Sequence, residues 1–265
     1  MAIYSTGNLI IDNTLLEKSE IISKGSSNIL NSNFREVLII TNGKNTFINC
    51  TFRDNKEKQN IEIQSQLTLI NCNFTNNAKN LIFNDEIDSG KVNLIIDNCN
   101  FINNNAIIKP GMDEDDIDEI LYESTTFDLS DAIANVKNSN FIKNSQNVFK
   151  IYGNGEIVVD NSTFKDNTGD YSCAISCDKV TATNSKFINN RGYLGAAINC
   201  EKLFIKNCTL SNNHEGAIFA RISSTVDGKN YGKNTIFDNN LNKIQLITIT
   251  AKSFSTSYHS GKNYL

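Results

Sequence analysis

The chain has 265 residues and a mass of 29.5 kDa, with 39% hydrophobic residues, one proline and no tryptophan. Asparagine supplies roughly one residue in six, well above its usual share. A net charge of −4 and a pI near 5.3 exclude the basic footprint of a phosphate-backbone binder, and no run reaches the 18 apolar residues of a membrane span.

The opening residues, Met1-Ala2-Ile3-Tyr4-Ser5-Thr6-Gly7-Asn8, lack the charged start and apolar stretch of a signal peptide. Residues 1–30 carry only a faint form of the motif that dominates the rest, Asn13-Thr14-Leu15-Leu16. They read as an N-terminal cap, because the open end of a stacked rod exposes unpaired strand edges. A second faint copy follows at Asn31-Ser32-Asn33-Phe34.

From Asn49 the repeat is plain. Asn49-Cys50-Thr51-Phe52-Arg53-Asp54-Asn55 recurs as Asn71-Cys72-Asn73-Phe74-Thr75-Asn76-Asn77 and as Asn98-Cys99-Asn100-Phe101-Ile102-Asn103-Asn104. Further copies begin at Asn138, Asn161, Asn184, Asn207 and Asn234. The leading asparagines lie 22, 27, 40, 23, 23, 23 and 27 residues apart, a spacing that marks a solenoid. Each period holds short alternating runs such as Leu67-Thr68-Leu69-Ile70, which read as strands of four or five residues. No period contains a helical pattern, so the chain is all-β: a single-stranded parallel β-helix of about 8–10 coils over 31–240, each coil ~4.8 Å above the last.

The period-two rule locates a corner. Leu94 and Ile96 share one face of their strand, whereas Cys99 and Phe101 lie on the other parity. Both pairs point inward only if the chain bends at Asn98 and resets its phase. Asn tolerates the left-handed backbone that such a bend needs, and stacked asparagines can bond amide to amide from coil to coil. The same reading applies to Asn49, Asn71, Asn138, Asn161, Asn184, Asn207 and Asn234. The next position holds Cys, Ser or Thr, a small slot indifferent between thiol and hydroxyl. Two further on stand Phe52, Phe74, Phe101, Phe141, Phe164, Phe187 and Phe237, with Leu210 the exception; these rings form one internal column, the largest apolar contribution per coil. The closing asparagines (Asn55, Asn77, Asn104) predict a second ladder at the next corner.

Where Phe-x-x-Asn is followed by Gly195-Ala196-Ala197-Ile198, and again by Gly216-Ala217-Ile218, the chain resembles the passenger repeats of chlamydial polymorphic outer-membrane proteins. It is also similar to adhesin-like β-helix proteins. The resemblance covers roughly residues 31–240. It implies a right-handed coil and, for many members, adhesion; the membrane-anchoring barrel and signal peptide of such proteins have no counterpart in this sequence.

The longest interval, Asn98 to Asn138, predicts an insertion over 105–132. It contains Pro110, Gly111-Met112 and the run Asp113-Glu114-Asp115-Asp116-Ile117-Asp118-Glu119-Ile120-Leu121. Ile117, Ile120 and Leu121 fall at helical spacing behind acids that favour a helix start, so a short amphipathic helix is expected there. Asp113, Glu114, Asp115, Asp116, Asp118, Glu119 and Tyr122 are its candidate partner-binding residues. The run lacks the glycine and ligand spacing of a calcium loop, and no metal or cofactor is expected.

Seven cysteines allow disulfides, metal or buried thiols. The Cys50, Cys72, Cys99 and Cys208 slot accepts serine elsewhere, which favours reduced core thiols and leans to a cytoplasmic or non-classically exported protein. In a fragment of an adhesin the same residues would be extracellular. Cys173 and Cys177 stand about 13 Å apart on a strand, too far to share a zinc ion. No catalytic constellation emerges: Asp54, Asp97, Asp160, Asp166, Asp170 and Asp178 are spread over turns, His214 reads as an exposed turn residue, and His259 lies in the tail. Arg35, Arg53, Arg191 and Arg221 are equally dispersed, and only tyrosines such as Tyr152, Tyr171, Tyr193 and Tyr231 could stack on a sugar. Leu246-Ile247-Thr248-Ile249-Thr250 is one Thr-x-Thr pair rather than an ice-binding array, and 241–265 read as a C-terminal cap or tail.

The expectation is a non-enzymatic, adhesin-like binding or scaffold module that presents a sheet face and the acidic insertion to a protein, cell-surface or polysaccharide partner. No nucleic acid or membrane span is involved, and a homo-oligomer is possible. The alternatives are a pectate-lyase-like polysaccharide lyase or hydrolase, and a structural subunit of a phage or secretion fibre.

Overall fold

The computed structural model describes residues 2–56, 60–78, 80–84, 91–105, 125–145, 147–169, 174–192, 195–214 and 216–220, together with the backbones of 221, 236–238 and 245–247. Among the described residues, 25 strands belong to one continuous sheet and every pairing between them is parallel. The protein is the parallel β-helix that the repeat predicts.

Three files of strands form the walls. The first comprises strands that run up to the leading asparagine: β2 (Leu9–Asp12), β4 (Ser27–Leu30), β6 (Lys44–Ile48), β9 (Gln66–Ile70), β12 (Val92–Asp97) and β15 (Ala132–Lys137), continued by the second halves of β17 (Phe149–Asp160), β19 (Ile175–Thr183) and β21 (Ile198–Lys206). The second is a file of phenylalanine strands: the starts of β3 (Leu15–Ser23) and β5 (Asn33–Thr41), then β7 (Thr51–Arg53), β10 (Asn73–Thr75), β13 (Asn100–Ile102), β16 (Asn140–Ile142), β18 (Thr163–Lys165), β20 (Lys186–Ile188), β22 (Thr209–Ser211) and β24 (Ile236–Asp238). The third runs from β1 (Ala2–Ser5) through the ends of β3 and β5, then β8 (Ile61–Ile63), β11 (Ile82–Phe83), β14 (Phe127–Ser130), the first halves of β17, β19 and β21, β23 (Ile218–Arg221) and β25 (Gln245–Ile247).

Left-handed residues make the corners between these walls. Asn13, Asn31, Asn49, Asn71, Asn98, Asn138, Asn161, Asn184 and Asn207 all have φ between 46° and 56°, where a non-glycine residue is otherwise strained. A second set stands two residues after the Phe slot: Lys18, Glu36, Asp54, Asn76, Asn103, Lys143, Asp166, Asn189 and Asn212, with φ from 47° to 58°. Asp54 and Asp166 are therefore turn residues, as their place in the repeat suggests.

Inside, Phe34, Phe52, Phe74, Phe101, Phe141, Phe164 and Phe187 are fully buried and stack with centroids 4.6–5.0 Å apart. That separation matches the rise of one coil, so the column follows directly from the backbone spacing. Leu210 replaces the next ring, and Phe237 follows it in backbone register.

The structure changes three boundaries. Residues 2–30, expected as a cap, already coil: β1 pairs with β3 and β2 with β4. The expected insertion over 105–132 is shorter at its far end, because Leu81 N donates to Thr125 O, Thr126 N to Asn147 O, and β14 then pairs with β17. Phe127 stacks on Phe149 at 4.2 Å and meets Phe101 and Phe141 edge-on, a second aromatic file that returns the chain to the coil before residue 132. In the tail region, β25 continues the third wall beside β23.

Candidate functional site

The buried asparagine ladder organises one edge of the rod. Asn77 Nδ2 donates to Asn104 Oδ1 at 2.9 Å, Asn104 to Asn144 at 3.0 Å, Asn144 to Asn167 at 3.0 Å, Asn167 to Asn190 at 2.9 Å, and Asn190 to Asn213 at 3.0 Å. Each also donates to a phenylalanine carbonyl, as Asn167 does to Phe141 O at 3.0 Å. Just past this ladder the backbone makes isolated parallel bridges, Ser145 to Thr168 to Arg191 to His214. Asn105 N still donates to Asn77 O, so the acidic insertion leaves the rod on this same edge, between the second and third walls. Asp113, Glu114, Asp115, Asp116, Asp118, Glu119 and Tyr122, and the helix expected around them, lie outside the described residues, as do Asp170, Cys173, Tyr171, Tyr193, Asn234, Tyr231 and His259. His214 is half-buried rather than exposed.

The outer corner ladder is only partly all-asparagine. Asn49 donates to Asn31, Asn71 to Asn49, Asn98 to Asn71, Asn161 to Asn138 and Asn207 to Asn184, at 2.8–3.2 Å. Asn138 turns instead to Asp97 Oδ1 at 2.8 Å, and Asn184 to Asp160 Oδ1 at 2.7 Å, because a carboxylate is the stronger acceptor. Beside this corner runs another amide file, exposed at Asn73 and half-buried at Asn100 and Asn140, in which Asn100 donates to Asn73 and Asn140 to Asn100, both at 2.9 Å.

The small slot is a chain of hydrogen bonds. Ser139 N donates to Ser162 Oγ at 3.1 Å, and Ser162 Oγ donates to Asp160 O at 2.8 Å. Cys72 N donates to Cys99 Sγ at 3.3 Å, and Cys99 Sγ donates to Asp97 O at 3.3 Å. Thiol and hydroxyl perform the same two tasks, which is why the sequence exchanges them. Six cysteines, Cys50, Cys72, Cys99, Cys177, Cys200 and Cys208, are free and buried. Burial pushes the Cys177 thiol up to about 12 and raises Cys200 as well, so both remain protonated.

Carboxylates gather at the corner between the third and first walls. Coil by coil it presents Asp131, then Gly153-Asn154-Gly155, then Asp178, then Glu201. Asp131 Oδ1 accepts from Asn154 N at 3.0 Å and Asn154 Nδ2 at 3.3 Å, bonds that hold its carboxyl below the usual range. Burial, reinforced by the charge of Glu201, raises Asp178. Glu156 and Lys179 pair alongside at 2.7 Å. Sequence reasoning named Asp178 but could not gather these groups, because the corner has no fixed residue type. On the neighbouring wall Lys150 faces Asp128 at 3.8 Å and lies over the Tyr152 ring at 5.8 Å. Among the described residues no three His, Cys, Asp or Glu side chains are placed to hold a metal ion, and no helix is long and apolar enough to cross a membrane.

No protein-family model matches this sequence, and no curated protein matches it by sequence. Among solved structures, a trypsin-treated form of QnrB1, a plasmid-mediated fluoroquinolone resistance protein, aligns at 12% identity and a TM-score of 0.29, covering 90% of this chain and 92% of its own. The periplasmic alginate epimerase AlgG aligns at 10% identity and a TM-score of 0.38, covering 91% of this chain and 76% of its own. Superpositions this loose assign no residue a role.

Proposed function

We propose that the rod is a non-catalytic, adhesin-like binding or scaffold module. The observation that carries this reading is a pair of amide files at one corner, the exposed Asn31, Asn49, Asn71 and Asn98 beside the exposed Asn73 and the half-buried Asn100 and Asn140. Consecutive coils from Asn31 to Asn140 repeat these amides at the coil spacing, a lattice suited to an extended, repetitive surface rather than to one small substrate. The acidic insertion, rooted at Asn105 and Thr125, supplies the second contact in this reading. Immobilised protein should capture a polysaccharide or protein partner from a defined panel. Alanine replacement of Asp113, Glu114, Asp115, Asp116, Asp118 and Glu119 should weaken that capture at unchanged melting temperature; undiminished capture removes the insertion from the site.

Asp178 and Glu201 stand in register on adjacent coils, and burial with the charge of Glu201 makes Asp178 the weaker acid of the two; two neighbouring carboxyls of unequal strength favour one second reading, a polysaccharide hydrolase or lyase. Incubation with a panel of acidic glycans decides between them. Turnover that disappears in Asp178→Asn supports the enzyme, and the absence of any product supports the binding module.

A further inference from the structure

Cys177 and Cys200 are partners in register on β19 and β21, one coil apart, and both side chains point into the rod. Register partners on parallel strands have Cα atoms ~4.8 Å apart and Cβ vectors that run side by side. That separation falls within the span of about 4.4–6.8 Å that a disulfide bridges. The two are consecutive members of one inward file, with Ile151 in register below Cys177 and Ala220 above Cys200, so no side chain stands between the sulfurs. Cys177 Sγ rests on the bare backbone of the corner below, where a Cβ on Gly155 would come within 3.2 Å of it. Gly155 beneath and Ala220 above therefore leave both sulfurs room to turn toward each other.

The other cysteine file differs in two respects. Cys50, Cys72 and Cys99 are 0% exposed, whereas Cys177 and Cys200 keep 4% and 6% of their surface in solvent. The sulfurs of the first file are also committed to their own strands: Cys50 Sγ donates to Ile48 O at 3.3 Å, Cys72 Sγ to Ile70 O at 3.4 Å and Cys99 Sγ to Asp97 O at 3.3 Å. Cys177 Sγ makes a longer contact, 3.5 Å to Lys179 O, and Cys200 Sγ donates to nothing among the described residues. A thiol is a weak donor in any case, so this pair gives up little on bonding covalently.

We propose that Cys177 and Cys200 are a modification site: they form a reversible disulfide between coils by exchange with a low-molecular-weight disulfide. The exchange starts when the end coils open and uncover Cys200. Its thiol gives its proton to water, the thiolate bonds to one sulfur of the reagent, and the reagent's S–S bond breaks, releasing a small thiolate that takes up a proton. On reclosing, the register sets Cys177 beside the mixed disulfide. Cys177 Sγ loses its proton, bonds to Cys200 Sγ and expels the second small thiol. Two protein S–H bonds are replaced by one S–S bond, and the reagent is reduced to two thiols. The bridge closes the stretch of chain that carries Phe187, beside the step where Leu210 replaces a ring. Oxidising surroundings thus give the rod a covalent tie near one end, and reducing surroundings remove it.

The test is to hold the folded full-length chain in hydroxyethyl disulfide, a neutral reagent that the carboxylates of Asp178 and Glu201 do not repel. The remaining thiols are then blocked and the peptides mapped by mass spectrometry without reduction. A bridge between Cys177 and Cys200 should exceed every other protein disulfide severalfold, with Cys50, Cys72 and Cys99 recovered as free thiols. In mild denaturant the bridged chain should be cut severalfold more slowly within Ile175–Lys206, and a dithiol reductant should restore the original rate. Cys200→Ser should abolish both the bridge and the slower cutting. Mixed disulfides that persist at both cysteines, a principal bridge to Cys173 or Cys208 instead, or a chain that stays fully reduced would each overturn the proposal. The map of the parent chain decides even if the variant folds poorly.

Discussion

Asn167 illustrates what one side chain does in this rod. Its Oδ1 accepts from Asn144 N and Asn144 Nδ2, each at 3.0 Å, and its Nδ2 donates to Phe141 O and Asn190 Oδ1. Asn167 is fully buried, so Asn167→Ala strands several polar groups away from water. A cost of about 3 kcal/mol is expected from two or three unsatisfied groups, read as a drop in the urea midpoint. Asn161 is a contrast: it is exposed, and its main duty is a left-handed φ of 46°. Asn161→Ala should cost about 1–2 kcal/mol, whereas Asn161→Gly should be close to neutral. At position 162, Ser162→Cys should be tolerated, because the slot needs only an atom that accepts from Ser139 N and donates to Asp160 O. Ser162→Ala removes the hydroxyl without adding bulk, loses both bonds and should destabilise by about 2 kcal/mol. Asn is one of the few residues that serve a left-handed corner, so both ladders were legible in the sequence. The turn of Asn138 and Asn184 toward aspartates was not, because it depends on which acceptor in the coil below is charged.

Among the elements, the phenylalanine strands carry the core. Phe141 stacks between Phe101 and Phe164 and also meets Phe127 and Phe149 edge-on. Phe141→Ala should therefore cost about 3–5 kcal/mol, and Phe141→Leu much less, since Leu210 already fills the same slot. The second aromatic file escaped the sequence reading for a physical reason. Strands of the third wall follow loops of varying length, so Phe127 and Phe149 keep no fixed distance from an asparagine, and only the folded register brings them together. The acid corner escaped in the same way. Its charges make a prediction of opposite sign to an ordinary salt bridge. Asp178 has a folded-state pKa raised above its unfolded value by burial and by Glu201, so its ionisation opposes folding, and the penalty is absent at acid pH and appears as pH rises through the raised value. Asp178→Asn should raise the melting temperature at neutral pH, and the gain should fade as the solution is acidified below the carboxylate range. An equal gain at both pH values would mean that the carboxylate is not the cause.

In the molecule as a whole, each coil touches only the coils above and below it, so stability is a sum of nearest-neighbour terms and opening need not be all-or-none. The phenylalanine column is continuous from Phe34 to Phe187 and then meets Leu210. A leucine buries less apolar area than a ring, so the interface between β20 and β22 is the weaker one, and it lies near one end. The buried thiols report on this directly. Cys50, Cys72 and Cys99 sit in coils closed by stacked rings, whereas Cys200 and Cys208 flank the leucine step. Because burial keeps Cys200 protonated and water-poor, a thiol reagent reaches it only when its coil opens. In mild denaturant, pulse labelling should therefore modify Cys200 and Cys208 before Cys50, Cys72 and Cys99, and Leu210→Phe should narrow the gap by restoring the ring. Labelling of all five at one rate would mean that the rod opens as a single unit and that the leucine step carries no weight.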